Sequence, residues 1–569
     1  LPETQIGLLP AWGGSTRLPR LIGLPKALDI ILAGKTLAAK PALKMGLVDE
    51  LAPVEYLVET AVRKLQAGKP QRPSRWLVNN ALARSVIASR ARESVRQKTR
   101  DNYPAVLKAL EVVTCGVSEP LIVALTLERD GILELAQGEA CHNLLRVFQL
   151  QERAKKLTPP GAGPAAEVKP VKRAAVIGAG VMGAGIAQWL SARQLPVILR
   201  DINAELVAKG MAGIARVYQE GVKRHVFTAG EARDGLDRIQ PAPLEVPLRH
   251  ADIVIEAAVE TLEVKQQIFK RLDELMADEA MLATNTSALS VAEIAAVTRR
   301  PERVVGLHFF NPVHRMQLVE VVATPRLAPE ILQRAVRFVQ QIGKLPVVVR
   351  DSPGFLVNRI LVPYLVEAGN LFAAGAELAA IDEAMLDFGM PMGPLRLLDE
   401  VGVDVALPIS RRLGGCFPGR LQVPELLGKM VQAGWFGRKR GAGFYIHNKS
   451  NEPQPNPQIK PLVGGATARA LSRGELQERM VLLMLNEAAR CLEEEIVAEP
   501  ADVDFAMIMG TGFAPFRGGP LRFADSRSAK DLVAAMQRLA DSGAAHFAPC
   551  ESLRRMAADG RKFYPDKGG

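Results

Sequence analysis

Gly178, Gly180, Gly183 and Asp201 are the residues whose types and spacing point most plainly to chemistry. The glycines read G-x-G-x-x-G, directly after an apolar run from Ala174 to Ile177 and ahead of a helical pattern that continues through Ala192. Gly178 permits a tight turn, Gly180 lets backbone approach a pyrophosphate, and Gly183 lets the helix pack closely on the strand. The helix start then offers unpaired N–H groups and a partial positive charge to phosphate. Asp201 stands 18 residues past Gly183, at the end of a second apolar run, Pro196 to Leu199. A carboxylate there takes both ribose hydroxyls of NAD and repels a 2′-phosphate. NAD, not NADP, is the expected cofactor.

A second set of reactive side chains follows along the chain. Glu260 and Lys265 come after the apolar run in Ala251–Ala258, Ser287 after the run ending at Ala283, and His308 and Asn311 after Val304–Leu307. Glu320 lies within Leu318-Val-Glu-Val-Val. Singly, each has a plain reading. His308 beside two phenylalanines would pass for a satisfied core histidine, Glu320 for a strand-edge ion pair, and Ser287 for a helix N-cap. Together they occupy successive strand ends, where an open α/β sheet binds its ligands. His314 and Arg315, close by, have no role beyond solvent exposure or a phosphate contact.

These residues need a large scaffold, and 569 residues imply three or four domains. The five cysteines are scattered without CxxC spacing, and the seven histidines form no ligand cluster, so no metal is expected. No apolar run reaches the ~18 residues of a spanning helix, no signal peptide opens the chain, and Asp566-Lys-Gly-Gly is not a peroxisomal address. Between Ala61 and Arg100 there are eleven Lys/Arg and one acid, Glu93, which is almost the whole of the net +11. Such a stretch suits a solvated helical face, a phosphorylated substrate, a membrane surface or an acidic partner. It lacks interleaved aromatics, so nucleic acid is not expected.

GAGVMG (with Met182), NTSALS, HFFNPVHRMQLVEV and DSPGFLVNR together closely resemble the 3-hydroxyacyl-CoA dehydrogenase family over roughly Val171 to Tyr445. The resemblance implies that His308 is the general base that takes the hydroxyl proton while C3 gives hydride to the nicotinamide. Imidazole, ordinarily near pKa 6.5, suits a proton that travels both ways. Glu320 corresponds to the carboxylate that orients the imidazole, as the buried acid does in a Ser-His-Asp triad. Ser287 and Asn358 match the groups that bond the substrate oxygen. Ala258, Val259, Glu260, Lys265, Ser287 and Asn311 match cofactor contacts.

The first lines resemble the second half of an enoyl-CoA hydratase (crotonase) domain, through Pro2-Glu-Thr, Leu8-Leu-Pro-Ala-Trp-Gly-Gly and Ala42-Leu-Lys-Met-Gly-Leu-Val-Asp-Glu. Glu3 falls on the second of that family's two catalytic glutamates. Hydration needs both carboxylates and an oxyanion hole, so no hydratase activity is expected of a chain that opens at Leu1. At the other end, Gly-Pro-Leu-Arg recurs at 393–396 and 519–522, the mark of two related all-α units. The second lacks the DSPGFxxNR opening and should pack rather than catalyse.

The expected fold is α/β: a partial crotonase-like segment (1–58), a helical linker region (59–170), a Rossmann-type NAD-binding domain (171–350), and two related helical domains (351–450 and 461–569). Asn143 to Lys156 reads as an amphipathic helix and Leu157 to Pro170 as a connector. The resemblance as a whole is to the multifunctional β-oxidation enzymes, which implies acyl-CoA substrates, a thiolase β subunit in a heterotetramer, a bacterial cytoplasmic setting and a peripheral membrane contact. A dehydrogenase of free β-hydroxyacids is one alternative, though that class commonly uses lysine where this chain has His308 with Glu320; a nonenzymatic membrane or nucleic-acid binder using the basic stretch is the other.

Overall fold

The computed structural model describes residues 1–70, 72, 74–159, 168–448, 452–463 and 471–565. It divides into two compact units, Leu1–Gln149 with Pro515–Gly518, and Leu150–Ala514 with Gly519–Gly569. The middle of the expected connector, part of the joint after Asn448 and the C-terminal Asp566-Lys-Gly-Gly lie outside the described residues.

The first unit is helical throughout its described length. A short 3-10 turn, Glu3–Ile6, leads into the helices Gly14–Ile22 and Leu24–Ala33. Their apolar faces place Leu18, Ile22, Leu28 and Ile31 in one core with Ala109, Leu110 and Val113 of the helix Pro104–Gly116. Buried Glu128 on the helix Leu121–Ala136 accepts from the backbone N–H of Gly13 (2.7 Å) and Thr16 (2.5 Å), satisfying donors at the start of Gly14–Ile22. The expected break after residue 58 therefore falls inside this unit. The opening helices bury their apolar faces on the very helices read as linker. The basic stretch runs from the end of the helix Leu57–Gln66 through Ala81–Thr99, which fully buries only Val95 and packs Ile87 and Ala91 against the core.

The second unit is built on eight strands: β1 (Ala174–Ile177), β2 (Val197–Arg200), β3 (Ile239–Ala242), β4 (Ile253–Glu256), β5 (Met281–Thr284), β6 (Val304–Phe309), β7 (Leu318–Ala323) and β8 (Leu345–Arg350). Their order is β3-β2-β1-β4-β5-β6-β7-β8. All neighbours pair parallel except β6 and β7, which run antiparallel. The strands are short, rich in Val and Ile, and β1, β4 and β5 are buried along their whole length, as a sheet covered on both faces requires. The chain leaves β1 toward β2 on one side and reaches β4 on the other. The glycine turn after β1 thus lies at the point where strand order reverses, the usual ligand crevice of such sheets. β6 is longer than its apolar run suggested, since His308 and Phe309 are its last residues.

Two helical copies follow. In the first, Asp382 accepts from the N–H groups of Leu395 (2.9 Å) and Arg396 (3.2 Å) and from the Tyr445 hydroxyl (2.6 Å). In the second, Asp504 does the same with Leu521 (2.7 Å), Arg522 (3.2 Å) and Tyr564 (2.5 Å). The Gly-Pro-Leu-Arg repeat is thus a repeated helix start, capped each time by a buried aspartate from the preceding helix. The described part of the joint between the copies is no open connector. Gln454–Pro455 pairs with Tyr445–Ile446, Asn456 donates to the Gly443 carbonyl (2.9 Å), and Ile459 is buried in the turn Pro457–Leu462.

Candidate active site

The glycine turn has the form its sequence implies. Gly178 has φ +103°, and a Cβ on it would stand 2.5 Å from the Ala257 carbonyl oxygen. A Cβ on Gly183 would overlap the Gly178 carbonyl, whereas one on Gly180 meets nothing within 4 Å. The turn is therefore packed on two glycines and open on the third, which leaves the backbone approach a pyrophosphate needs. Gly180 is the N-cap of the helix Val181–Ala192; Met182 packs against the sheet core. Asp201, just past β2, accepts from the Ala179 N–H (2.6 Å) through one oxygen and from the Ile202 N–H (2.7 Å) through the other. It thus braces the turn while remaining at the rim, and the residues present fit NAD.

Register brings the His–Glu pair together. The antiparallel β6–β7 ladder sets His308 opposite Glu320, and Nδ1 lies 2.6 Å from Oε2. Both side chains are buried. The other oxygen, Oε1, accepts from the N–H groups of Leu356 (3.0 Å) and Val357 (2.9 Å), the first donors of the helix Val357–Ala373. The carboxylate is thus held by an imidazole on one side and a helix N-terminus on the other, which fixes both of its oxygens. The rings of Phe310 and Phe355 stand 4.6 and 5.8 Å from the imidazole and wall it from water. With Nδ1 engaged, Nε2 is the nitrogen left for proton transfer.

Asn358, two residues into the tail of DSPGFLVNR, donates through Nδ2 to the Ser287 carbonyl (3.1 Å), joining both predicted substrate-binding residues. Glu260 grips the same loop: its Oε1 accepts from Thr286 Oγ1 (2.6 Å), Ser287 N (2.7 Å) and Ala288 N (3.2 Å). Lys265, matched to a cofactor contact, is fully buried, and its ammonium donates to both oxygens of Glu256 (2.7 and 2.9 Å). It reaches Glu260 at 3.5 Å, so its link to the nucleotide side of the site is through carboxylates. Ala258 and Val259 follow the C-terminal end of β4, with Val259 and Asn311 exposed.

Three residues escaped the sequence reading. Glu256, fully buried, also accepts from Thr284 Oγ1 and the Ala258 N–H, both at 2.7 Å, tying the ends of β4 and β5 together. An acid closing an all-buried strand, with a lysine nine positions on, was the available signal. Asn285 reaches across to the Phe309 N–H (2.8 Å) and fixes the end of β6. The helix cap expected of Ser287 belongs to Ser290, which accepts from Glu293 N (3.2 Å), because the helix Val291–Ala295 begins three residues later. Asp351 supports that start by accepting from Ser290 Oγ and from the N–H groups of Val291 and Ala292. Among the described residues no group of three or more His, Cys, Asp or Glu could hold a metal ion. No helix among them is long and apolar enough to cross a membrane.

Comparison with known proteins agrees with this geometry. The NAD-binding domain of 3-hydroxyacyl-CoA dehydrogenase matches residues 173–352, its C-terminal domain matches 354–447 and again 476–567, and enoyl-CoA hydratase/isomerase matches 1–123. The fatty acid oxidation complex subunit alpha of Shewanella loihica is 39% identical over 577 residues, covering 99% of this chain and 81% of that protein. Its Shewanella amazonensis counterpart is 38% identical over the same shares. Among solved structures, 3-hydroxybutyryl-CoA dehydrogenase from Escherichia coli superposes with TM-score 0.62 at 29% identity, covering 68% of this chain and 99% of that one. The dehydrogenase part of C. elegans multifunctional enzyme 1 shares the fold, with TM-score 0.53 at 22% identity over 72% of this chain and 96% of that one.

Proposed function

The chain belongs to the fatty acid oxidation complex alpha-subunit family and is an NAD-dependent 3-hydroxyacyl-CoA dehydrogenase of β-oxidation, and on that premise we propose how its residues divide the reaction. His308 Nε2 takes the C3 hydroxyl proton of a (3S)-3-hydroxyacyl-CoA. Glu320 holds the ring through Nδ1 and stabilises the imidazolium that forms, while the helix N-terminus holds its other oxygen in place. NAD, when bound, supplies the hydride acceptor. The open backbone at Gly180 and the helix start take its pyrophosphate, and Asp201 takes its ribose hydroxyls. Ser287, anchored at N–H by Glu260 and at C=O by Asn358, directs its hydroxyl to the substrate oxygen together with the Asn358 amide. Lys265 and Glu256 hold Glu260 and the ends of β4 and β5 in place, and Asn311 faces the cofactor from beyond β6.

The observation that carries this assignment is the 2.6 Å His308–Glu320 contact, with the second carboxylate oxygen on two backbone N–H groups. Its test is NADH formation from NAD and a (3S)-3-hydroxyacyl-CoA, followed by absorbance. Wild type should turn over and the (3R) isomer should not; equal rates with both would overturn the stereochemical reading.

An alpha subunit works in a complex with a beta subunit on acyl-CoA. We infer that the partner is a thiolase, since the 3-ketoacyl-CoA product is a substrate for thiolytic cleavage; stable co-elution of the two proteins tests this. The exposed basic helix Ala81–Thr99 supports a peripheral contact with anionic lipid. Salt-sensitive sedimentation with anionic but not neutral vesicles is the expected result, and equal recovery with both would dismiss it.

A further inference from the structure

The second helical copy is bound to the catalytic end of the first through one buried side chain. Arg359 is 1% exposed and follows Asn358 directly on the helix Val357–Ala373. Its Nε donates to Glu487 Oε1 (2.7 Å) and its Nη2 to Glu494 Oε2 (2.6 Å), at the end of the helix Arg473–Glu493 in the second copy. Nη1 reaches Ser352 Oγ (3.3 Å), and the guanidinium lies 4.3 Å over the Phe417 ring. Arg420 adds a second cation, 2.8 Å from Glu494 and 3.5 Å from Glu487, and Arg490 pairs with Glu487 at 3.1 Å.

The first turn of Val357–Ala373 therefore fastens three separate parts of the site within four residues. Leu356 and Val357 hold Glu320, Asn358 holds the Ser287 loop, and Arg359 holds the second copy. The turn before it leaves little slack. Gly354 and Phe355 have φ +73° and +51°, and a Cβ on Gly354 would press Leu413 at 3.0 Å and the Arg359 N–H at 3.2 Å. Cys491, on the same helix as Glu487, is fully buried, and burial together with the charges of Glu487, Glu494 and Glu320 pushes its thiol well up, against the pull of Arg359. It remains uncharged within that buried cluster.

We propose that Arg359, clamped by Glu487 and Glu494, is a positioning residue for the dehydrogenase, and that the second helical copy serves the reaction by holding the helix start that presents Glu320 and Asn358. The proposal rests on the assignment of Glu320 and Asn358 made above. A guanidinium is suited to the task because its planar fork meets two carboxylates at fixed angles, which an ammonium cannot reproduce.

The experiment compares Arg359→Lys and Glu494→Gln in the full chain, each alone and on a Glu320→Gln background. NADH formation, NAD affinity by fluorescence titration and the thermal midpoint are measured on every variant. In the native background kcat should fall at least ~10-fold for Arg359→Lys and ~3-fold for Glu494→Gln, with NAD affinity unchanged. On the Glu320→Gln background the same changes should cost clearly less in kcat than in the native one, because one of the two groups they position is already gone. Unchanged kcat in folded Arg359→Lys or Glu494→Gln would overturn the proposal, as would losses that multiply fully with Glu320→Gln. Glu494 is partly exposed, so its variant still decides the matter where Arg359→Lys does not fold. Failure of Glu320→Gln itself to lower kcat would instead reject the underlying site assignment.

Discussion

Glu320 and Glu3 are both carboxylates that resemblance assigns to catalysis, and their surroundings differ in every respect that matters. Glu320 spends one oxygen on an imidazole and the other on two N–H groups of a helix start. Glu3 sits on a single 3-10 turn, and its Oε2 is buried with no hydrogen-bond partner among the described residues. A buried carboxylate oxygen left unpaired costs free energy and has no geometry imposed on it. The first arrangement fixes a proton-transfer partner; the second leaves one carboxylate oxygen without a fixed partner among the described residues. The hydratase-like unit does use a glutamate well, but as structure: Glu128 caps the helix Gly14–Ile22.

The largest effect should come from the supported pair. His308→Gln is expected to lower the rate of NADH formation by ~10²–10⁴-fold with little change in NAD affinity. A near-normal rate would remove the distinction between the two carboxylates, since Glu320 would then have no catalytic partner. Asp201→Ala should act on binding alone, weakening NAD by ~10–100-fold in a titration while kcat at saturating NAD stays close to wild type. Unaltered NAD affinity would reassign Asp201 to bracing the glycine turn.

A smaller and pH-dependent effect belongs to Lys344, on the same half of the molecule. Its ammonium donates to the carbonyls of Val313 and Met316, each at 2.5 Å, and lies 3.7 Å over the Trp189 ring. Burial, helped by the Arg193 charge, nonetheless pushes it down to about 7 from the usual 10.5. Above pH 7 the folded chain gives up a proton that the unfolded chain keeps until about 10.5, so this group makes stability rise with pH across that window. The rise has a limiting slope of about 1.4 kcal/mol per pH unit. Lys344→Met should flatten the thermal midpoint between pH 7.5 and 9.5, taken as an approximate window from the same linkage; a parallel slope in wild type and variant would contradict it.

The smallest effect should be that of Glu3→Gln on the dehydrogenase, where no change in NADH formation from 3-hydroxyacyl-CoA is expected. Supplying trans-2-enoyl-CoA with NAD sharpens the comparison further. No NADH should appear, and NADH that depends on Glu3 would show that this carboxylate has partners equal to those of Glu320.

The parts legible in the sequence were those whose cause is local. Gly178 and Gly183 are demanded by a turn that no Cβ fits, and β1, β4 and β5 by runs of apolar residues between turns. The His308–Glu320 pair was legible as two residues 12 apart on successive strands, though not the reversal of β7 that sets them face to face. Glu256 and Asn285 were read past because each looks like part of a strand end until its partners are known. Ser287 was read as a cap through a helix start placed three residues early. The boundary at 58 was misplaced because helical periodicity shows that a face is apolar, not which other helix will cover it.

By itself, then, the sequence determined the order of elements, the nucleotide turn and the identity of the reactive groups, because those depend on backbone sterics and residue chemistry over a few positions. Tertiary structure alone decided which groups are charged, paired and aimed. It placed the Leu356 and Val357 N–H groups on Glu320, Lys265 on Glu256, and Arg359 on Glu487, 128 positions away. The reason is physical: burial makes every unpaired charge or donor costly, so partners are chosen by which residues arrive in the same dry space, and no pattern along the chain records that meeting.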